Sequence, residues 1–264
     1  PDGLVTGVQT CALPISFDSE KRTSEQRIHM LKELGFKAYA YDWREEHLPD
    51  MAREIKLAKE NDIKIVAVWM SIDKNDAAGN LSENNRKVLQ TLAEKQLKTQ
   101  IWVSFPENYF ENMNEEQKIE QAAEMISYIS LEAEDIGCKV GLYNHGGWFG
   151  QPENLVSIIE SMPRLDIGII FNFHHAHNMI NEFPELVKVM KPYLWAVNLN
   201  GMNPDGPKIL PLGKGQKEAE MIKSLNENGF HGPYGILGHI ENADVKKILK
   251  ANLQGLKSLS VLNQ

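Results

Sequence analysis

Short apolar runs of strand length alternate along this chain with amphipathic stretches of helical length. The strand-like runs fall at 37–41, 63–70, 100–105, 139–144, 167–172, 194–199 and 234–237. Helical spacing of apolar residues fills the intervals, at 48–61, 81–97, 114–136, just after Pro152, 183–190, 216–228 and 243–256. An earlier helix is marked by Ile28, Leu31 and Leu34, with Gly35 suited to the left-handed position that ends it. Thr23 with Gln26, and Asn114 with Gln117, have the spacing of capping boxes, in which two side chains satisfy orphan backbone N–H groups. Strand and helix repeat with a period of roughly 25 to 35 residues, the pattern of successive βαβ units on a parallel sheet. Seven strands follow residue 36, so an eight-stranded barrel needs one more, and only residues 1–16 can supply it. Leu4 to Thr10 has the composition for that slot; otherwise the barrel is left open. No G-x-G-x-x-G follows a strand, which counts against a doubly wound sheet. The predicted fold is α/β, a (β/α)8 TIM barrel.

Composition adds bounds to this picture. A chain of 264 residues suits one such barrel. A net charge of −8 argues against nucleic acid as a partner, which calls for a basic surface. No apolar run approaches the roughly 18 residues of a membrane span. Cys11 and Cys138 are the only cysteines, and Cys138 opens a buried strand, so no disulfide framework is expected. Residues 1–16 lack an initiator methionine, a basic n-region and a secretory h-region. The run from Gly3 to Ile15 resembles the translated sequencing-adapter tail that recurs at broken ends of metagenomic genes. It is read as a non-native leader that supplies or replaces the first strand, with 17–264 as a single barrel domain.

The candidate chemistry gathers at the strand ends. Two runs stand out, Gly141-Leu142-Tyr143-Asn144-His145-Gly146-Gly147-Trp148 and Phe171-Asn172-Phe173-His174-His175-Ala176-His177, each apolar at first and then abruptly polar. Five of the eight histidines (145, 174, 175, 177 and 239) lie at or just past a strand's C-terminal end. In a parallel barrel those ends converge on one face, where catalysis sits. Histidine is suited both to proton transfer near neutral pH and to metal ligation. His29, His47 and His231 read as surface residues. Asn144, Asn172, Asn198 and Asn200 offer donors and acceptors for sugar hydroxyls. Trp43, Trp69 and Trp148 are placed either to stack on a sugar ring or to pack the barrel rim; Trp102 and Trp195 read as core. Lys214, between Gly213 and Gly215, is a solvated lysine or a cation for an anion or enolate oxygen.

In this order of motifs the chain resembles the xylose-isomerase-like TIM-barrel family, the sugar phosphate isomerases and epimerases that also include endonuclease IV. The resemblance spans about residues 20–260. It rests on the Asn-His-Gly-Gly strand end, the Asn-x-x-His strand, the Asn-x-Asn strand followed by Pro211-Leu212-Gly213-Lys214-Gly215, and the final Gly238-His239. The resemblance implies a divalent metal held by Glu, Asp, His and Glu from four successive strand ends. By position these fall on Tyr143, Asn172 (with His175 three residues on, as in the family), Asn198 and Gly238. Hard divalent ions prefer carboxylate oxygen, so the usual Mn²⁺/Mg²⁺ site is expected to be lost. A Zn²⁺ site built from His145, His175 and His239 remains open.

The expected function is a sugar or keto-sugar isomerase, epimerase or lyase working by proton transfer next to a carbonyl. His145 or His175 is the expected base and His239 the acid, with Asn172, Asn198 and Lys214 steadying the oxyanion. The alternative is a barrel that lost catalysis with its metal and only binds carbohydrate. Abasic-site nuclease activity would need a metal cluster and a basic surface. The expected partner is a small-molecule carbohydrate, with an oligomer left open.

Overall fold

Eight parallel strands close on themselves in chain order: β1 (Thr10–Leu13), β2 (Ala38–Tyr41), β3 (Lys64–Ser71), β4 (Gln100–Ser104), β5 (Lys139–Tyr143), β6 (Ile167–Asn172), β7 (Leu194–Leu199) and β8 (Tyr234–Leu237). A helix follows each: α1 (Ser24–Leu34), α2 (Leu48–Glu60), α3 (Glu83–Glu94), α4 (Glu115–Asp135), α5 (Pro152–Ser161), α6 (Phe183–Met190), α7 (Glu218–Glu227) and α8 (Val245–Ser258). The structure, a computed structural model, describes residues 10–259. The predicted TIM barrel is the observed one, and it is closed.

Closure depends on β1. Its four residues pair with β8 in register from Thr10↔Tyr234 to Leu13↔Leu237, and Ala12 pairs with Tyr39 of β2. Among the described residues the first strand is Thr10–Leu13, so it runs past the expected end at Thr10; the expected residues 4–9 lie outside those described. The register explains the extension, because Leu13 must stand level with Leu237 for the Gly238 amide to donate to the Leu13 carbonyl at 2.6 Å. The open barrel is thereby excluded.

Local signals act where the sequence placed them. The Thr23 hydroxyl accepts from the Gln26 amide while the Gln26 side chain accepts from the Thr23 amide at 2.9 Å, and Asn114 and Gln117 do the same before α4. Gly35 takes φ 84° at the end of α1, a conformation that costs a residue with a Cβ. All six residues of β6 are buried, as expected for a parallel strand covered on both faces.

Two apolar layers follow. Between strands and helices lies the large layer, including Phe36, Ile101, Leu142, Phe171 and Ile236. Inside the barrel a smaller cluster combines Cys11, Leu13, Ala40, Ala67 and Ala196 with the large rings of Trp102 and Tyr143. Small and bulky residues from different strands must interdigitate to fill a lumen of eight strands. Tyr143 and Trp102 stack at 5.9 Å and form a floor beneath the barrel mouth. Trp102 is core as expected, whereas Trp195 is only half-buried and covers Gly168. Cys11 and Cys138 are both buried and free; burial pushes the Cys11 thiol up to about 12.

Candidate active site

The polar residue after each buried strand cannot continue the apolar lumen, so it emerges at the mouth. Asp42 follows β2, Trp69 stands near the end of β3, and His145 follows β5. One 3-10 turn, Phe173–His175, buries Phe173 and turns the next two side chains toward the mouth; His239 follows β8. Asp42, Trp69, His145, His174, His175 and His239 line one cavity of about 650 Å³ above Tyr143.

The rings are closely packed. His145 and His175 have centroids 4.7 Å apart, and His174 and His175 lie at 3.9 Å. Trp69 faces His145 at 6.0 Å, and both His145 and His175 rest on Tyr143, at 6.4 and 6.2 Å. Phe17 meets His239 edge-on at 5.6 Å on the opposite rim.

Burial disfavours charge in this setting. It lowers His174 to about 3, reinforced by Lys208 and the neighbouring histidines, and holds His175 far below the ordinary imidazole range for the same reasons. His145 and His239 are also lowered, again chiefly by burial. These imidazoles are therefore neutral at physiological pH, able to accept a proton. The same burial acts oppositely on a carboxyl, raising Asp42 to about 7. One cavity thus holds a carboxyl shifted up and imidazoles shifted down, oppositely displaced groups of the kind acid–base chemistry uses.

Four polar atoms at this cavity are buried with no hydrogen-bond partner: Asp42 Oδ1, Trp69 Nε1, His174 Nδ1 and His239 Nδ1. Native interiors satisfy almost all such atoms. Of nine such atoms among the described residues, four lie at this one cavity.

A family model described as xylose isomerase-like TIM barrel matches residues 28–259. The chain belongs to that family. Among solved structures, a D-psicose 3-epimerase determined in the presence of D-fructose superposes with a TM-score of 0.71 at 15% identity, covering 97% of this chain and 100% of the other. A 3-keto-D-glucoside 4-epimerase from E. coli gives 0.69 at 15% identity, over 96% and 98%. A probable 3-DHS dehydratase from Bacillus anthracis gives 0.69 at 14% identity, over 95% and 98%. No curated protein matches the sequence.

Relative to what the resemblance implies for this xylose isomerase-like barrel, the metal positions are occupied differently. Asn144, Asn172 and Asn198 are fully buried and bonded to one another: Asn144 Oδ1 accepts from the Asn172 backbone and side chain at 2.6 and 3.0 Å, and the Asn198 amide donates to Asn172 Oδ1. Tyr143 is held well above the usual phenol range by burial. A neutral phenol, the amide of Asn172 engaged through both its atoms, the neutral amide of Asn198 and Gly238 offer no carboxylate and do not fit a hard divalent ion. Nor, among the described residues, does any group of three His, Cys, Asp or Glu come together to hold a metal ion, so His145, His175 and His239 share a cavity without forming the zinc set that remained open.

The remaining candidates separate into other tasks. Asn144, Asn172 and Asn198 form the ladder just described and do not line the cavity. His177 and Asn200 serve the loop after β7: His177 contacts the carbonyls of Asn203 at 2.7 Å and Lys208 at 2.9 Å, while Asn200 donates to the Lys208 carbonyl at 3.0 Å. Trp43 is buried and donates to the Trp69 carbonyl at 2.7 Å. Trp148 packs on Phe110 at 4.9 Å and donates to Glu115, away from the mouth. Lys214 is exposed and outside the cavity, because its turn is built around the buried Glu218 carboxylate, which accepts from the amides of Met202, Gly213 and Gly215. Gly146 and Gly147 have φ of 79° and 60° and form a turn against Glu107. His29 and His231 are exposed as expected, but His47 is half-buried against Phe17 at 5.8 Å.

Sequence reading did not single out Asp42, Lys208 or Phe17. Asp42 carried a legible signal, being the first polar residue after the apolar run of β2. Lys208 lies in a loop of glycine and proline, where no periodicity identifies a cavity residue.

Proposed function

We propose that this barrel is a carbohydrate-modifying enzyme that moves a proton at a carbon next to a carbonyl, as an isomerase, epimerase or lyase. The four unpartnered polar atoms at one cavity carry this reading, because a polyhydroxylated ligand supplies both donors and acceptors. The similarity to two sugar epimerases and a dehydratase agrees with it.

His145, neutral and in ring contact with His175, takes the substrate proton, while His175, held far below the ordinary imidazole range, is the weaker base beside it. Asp42, protonated in a large fraction near neutrality, replaces His239 as the donor, since His239 is itself lowered and holds its proton poorly. Trp69 Nε1–H is an obligate donor and steadies the developing oxyanion in place of Asn172 and Asn198, whose amides are engaged. The chemistry proceeds without a divalent ion, on the donor set described above.

The reading is tested with a panel of ketoses and keto-sugars, following thermal protection and turnover together. Protection by a sugar, with turnover lowered about 100-fold or more in His145→Ala or His175→Ala, is expected for loss of a general base. Protection with no turnover at all, unchanged in both variants, would instead favour a barrel that only binds carbohydrate.

A further inference from the structure

Resting on that carbohydrate reading, a second cavity beside the first bears on the size of the substrate. It measures about 390 Å³ and opens between the loops after β3 and β4, with Trp43, Ser71, Asn84, Asn85 and Asn108 in its wall. The two cavities flank one pair of tryptophans. Asp42 and Trp69 line the histidine cavity, while their near neighbours in sequence, Trp43 and Ser71, line the second. The Trp43 indole N–H donates to the Trp69 carbonyl at 2.7 Å and fixes this shared wall.

Asn85 is the deepest polar residue of the second cavity, only 1% exposed. Its amide nitrogen donates to the Ser71 carbonyl and to Asp76 Oδ2, each at 2.9 Å, yet its Oδ1 is buried with no partner. Native interiors rarely leave such an acceptor unsatisfied, and a ligand hydroxyl supplies the missing donor. The loop around it is fixed from within. The buried Asp76 carboxylate accepts from the backbone amides of Asp73 and Ser82 as well as from Asn85. By contrast, the side chains of Asn84 and Asn108 make no hydrogen bond among the described residues.

The charges in this wall cancel, because Asp73 and Lys74 are its only ionisable residues. Free amides and hydroxyls around an indole, with no net charge, suit a neutral ring that carries hydroxyl groups. We infer that this cavity is a subsite for a second sugar ring, and that the substrate is a glycoside or disaccharide whose reacting ring lies against the histidines. Amides hold hydroxyls but move no protons at neutral pH, so the second ring contributes binding and orientation while the chemistry stays in the first cavity.

Titration calorimetry with D-fructose, turanose, maltulose and isomaltulose tests this; the disaccharides carry a glucosyl ring on different fructose hydroxyls. At least one disaccharide should bind about tenfold or more tighter than D-fructose, one molecule per chain, through the added hydrogen bonds. The Asn84→Ala, Asn108→Ala double variant should return that disaccharide to the D-fructose affinity and leave D-fructose binding unchanged. Neither side chain holds the loop, so the variant keeps the fold. D-fructose bound with no disaccharide tighter, or a disaccharide advantage that persists in the double variant, would overturn the subsite and leave the carbohydrate reading standing. Two D-fructose molecules bound per chain would reveal a separate site and overturn the two-ring substrate. No sugar bound at all would overturn both readings.

Discussion

Asn198 on β7 donates its side-chain amide to Asn172 Oδ1 on β6, and the two residues are direct register partners in the barrel. Asn144 at the end of β5 extends the chain through the Asn172 backbone and side chain. The ladder lies buried beneath a mouth that holds the histidines, and its hydrogen bonds tie the ends of β5, β6 and β7 together.

Removing its middle member leaves buried partners unsatisfied. Asn172→Ala should destabilise the barrel by about 1–3 kcal/mol, the usual cost of an orphaned buried polar group. Chemical denaturation checks this, and an unchanged midpoint would show the ladder to be dispensable.

Much of this barrel was legible in its sequence. The boundaries of β2 to β8 follow from apolar runs, and the capping residues of α1 and α4 were readable because their partners lie three residues away. What escaped is non-local. The pairing of Thr10–Leu13 is fixed by register with β8, more than 200 residues later, so composition alone did not carry the strand on to Leu13. The histidine cluster was readable from its strand ends, but its protonation was not, because burial and neighbouring cations set it. The asparagines read as donors and acceptors for sugar hydroxyls; that the register of β5, β6 and β7 links Asn144, Asn172 and Asn198 in one ladder is non-local and was not readable.

Activity should have an alkaline limit set by Asp42. Its carboxyl is raised to about 7 by burial, so the acid form is lost as pH rises through that value. His175, held far below the ordinary imidazole range by burial, and His145, also lowered by burial, stay neutral at and above neutrality. The expected pH–rate profile is flat on the mildly acidic side and falls above about pH 7, and Asp42→Asn lowers the plateau by about 100-fold. A rate that rises through pH 7 would place the essential group elsewhere.

Stability should show the opposite sensitivity. His174 binds its proton in the unfolded chain below 6.5 but in the native barrel only near 3. The unfolded state is therefore favoured as pH falls through that window, by up to roughly 1.4 kcal/mol per pH unit for one proton. The dependence of unfolding free energy on pH between 6 and 4.5 should lose about one proton's slope in His174→Gln. An identical slope in both proteins would contradict the neutral, buried state of this ring.

At the floor of the barrel, a Cβ added at Gly168 would lie 2.0 Å from the Trp195 ring, closer than real contacts allow. Gly168→Ala should therefore force Trp195 off β7 and cost about 1–3 kcal/mol, as overpacking does. Thermal unfolding measures it, and Gly168→Ala combined with Trp195→Leu should recover part of the loss.

The central claim is that protein side chains alone move the carbon-bound proton. Solvent deuterium uptake into a bound keto-sugar, measured by NMR with chelator-treated protein, tests it most directly. The account predicts exchange at the carbon next to the carbonyl that survives chelation and is lost in the His145→Ala, His175→Ala double variant. Exchange abolished by chelation and restored by a divalent ion, or exchange undiminished in the double variant, would contradict it.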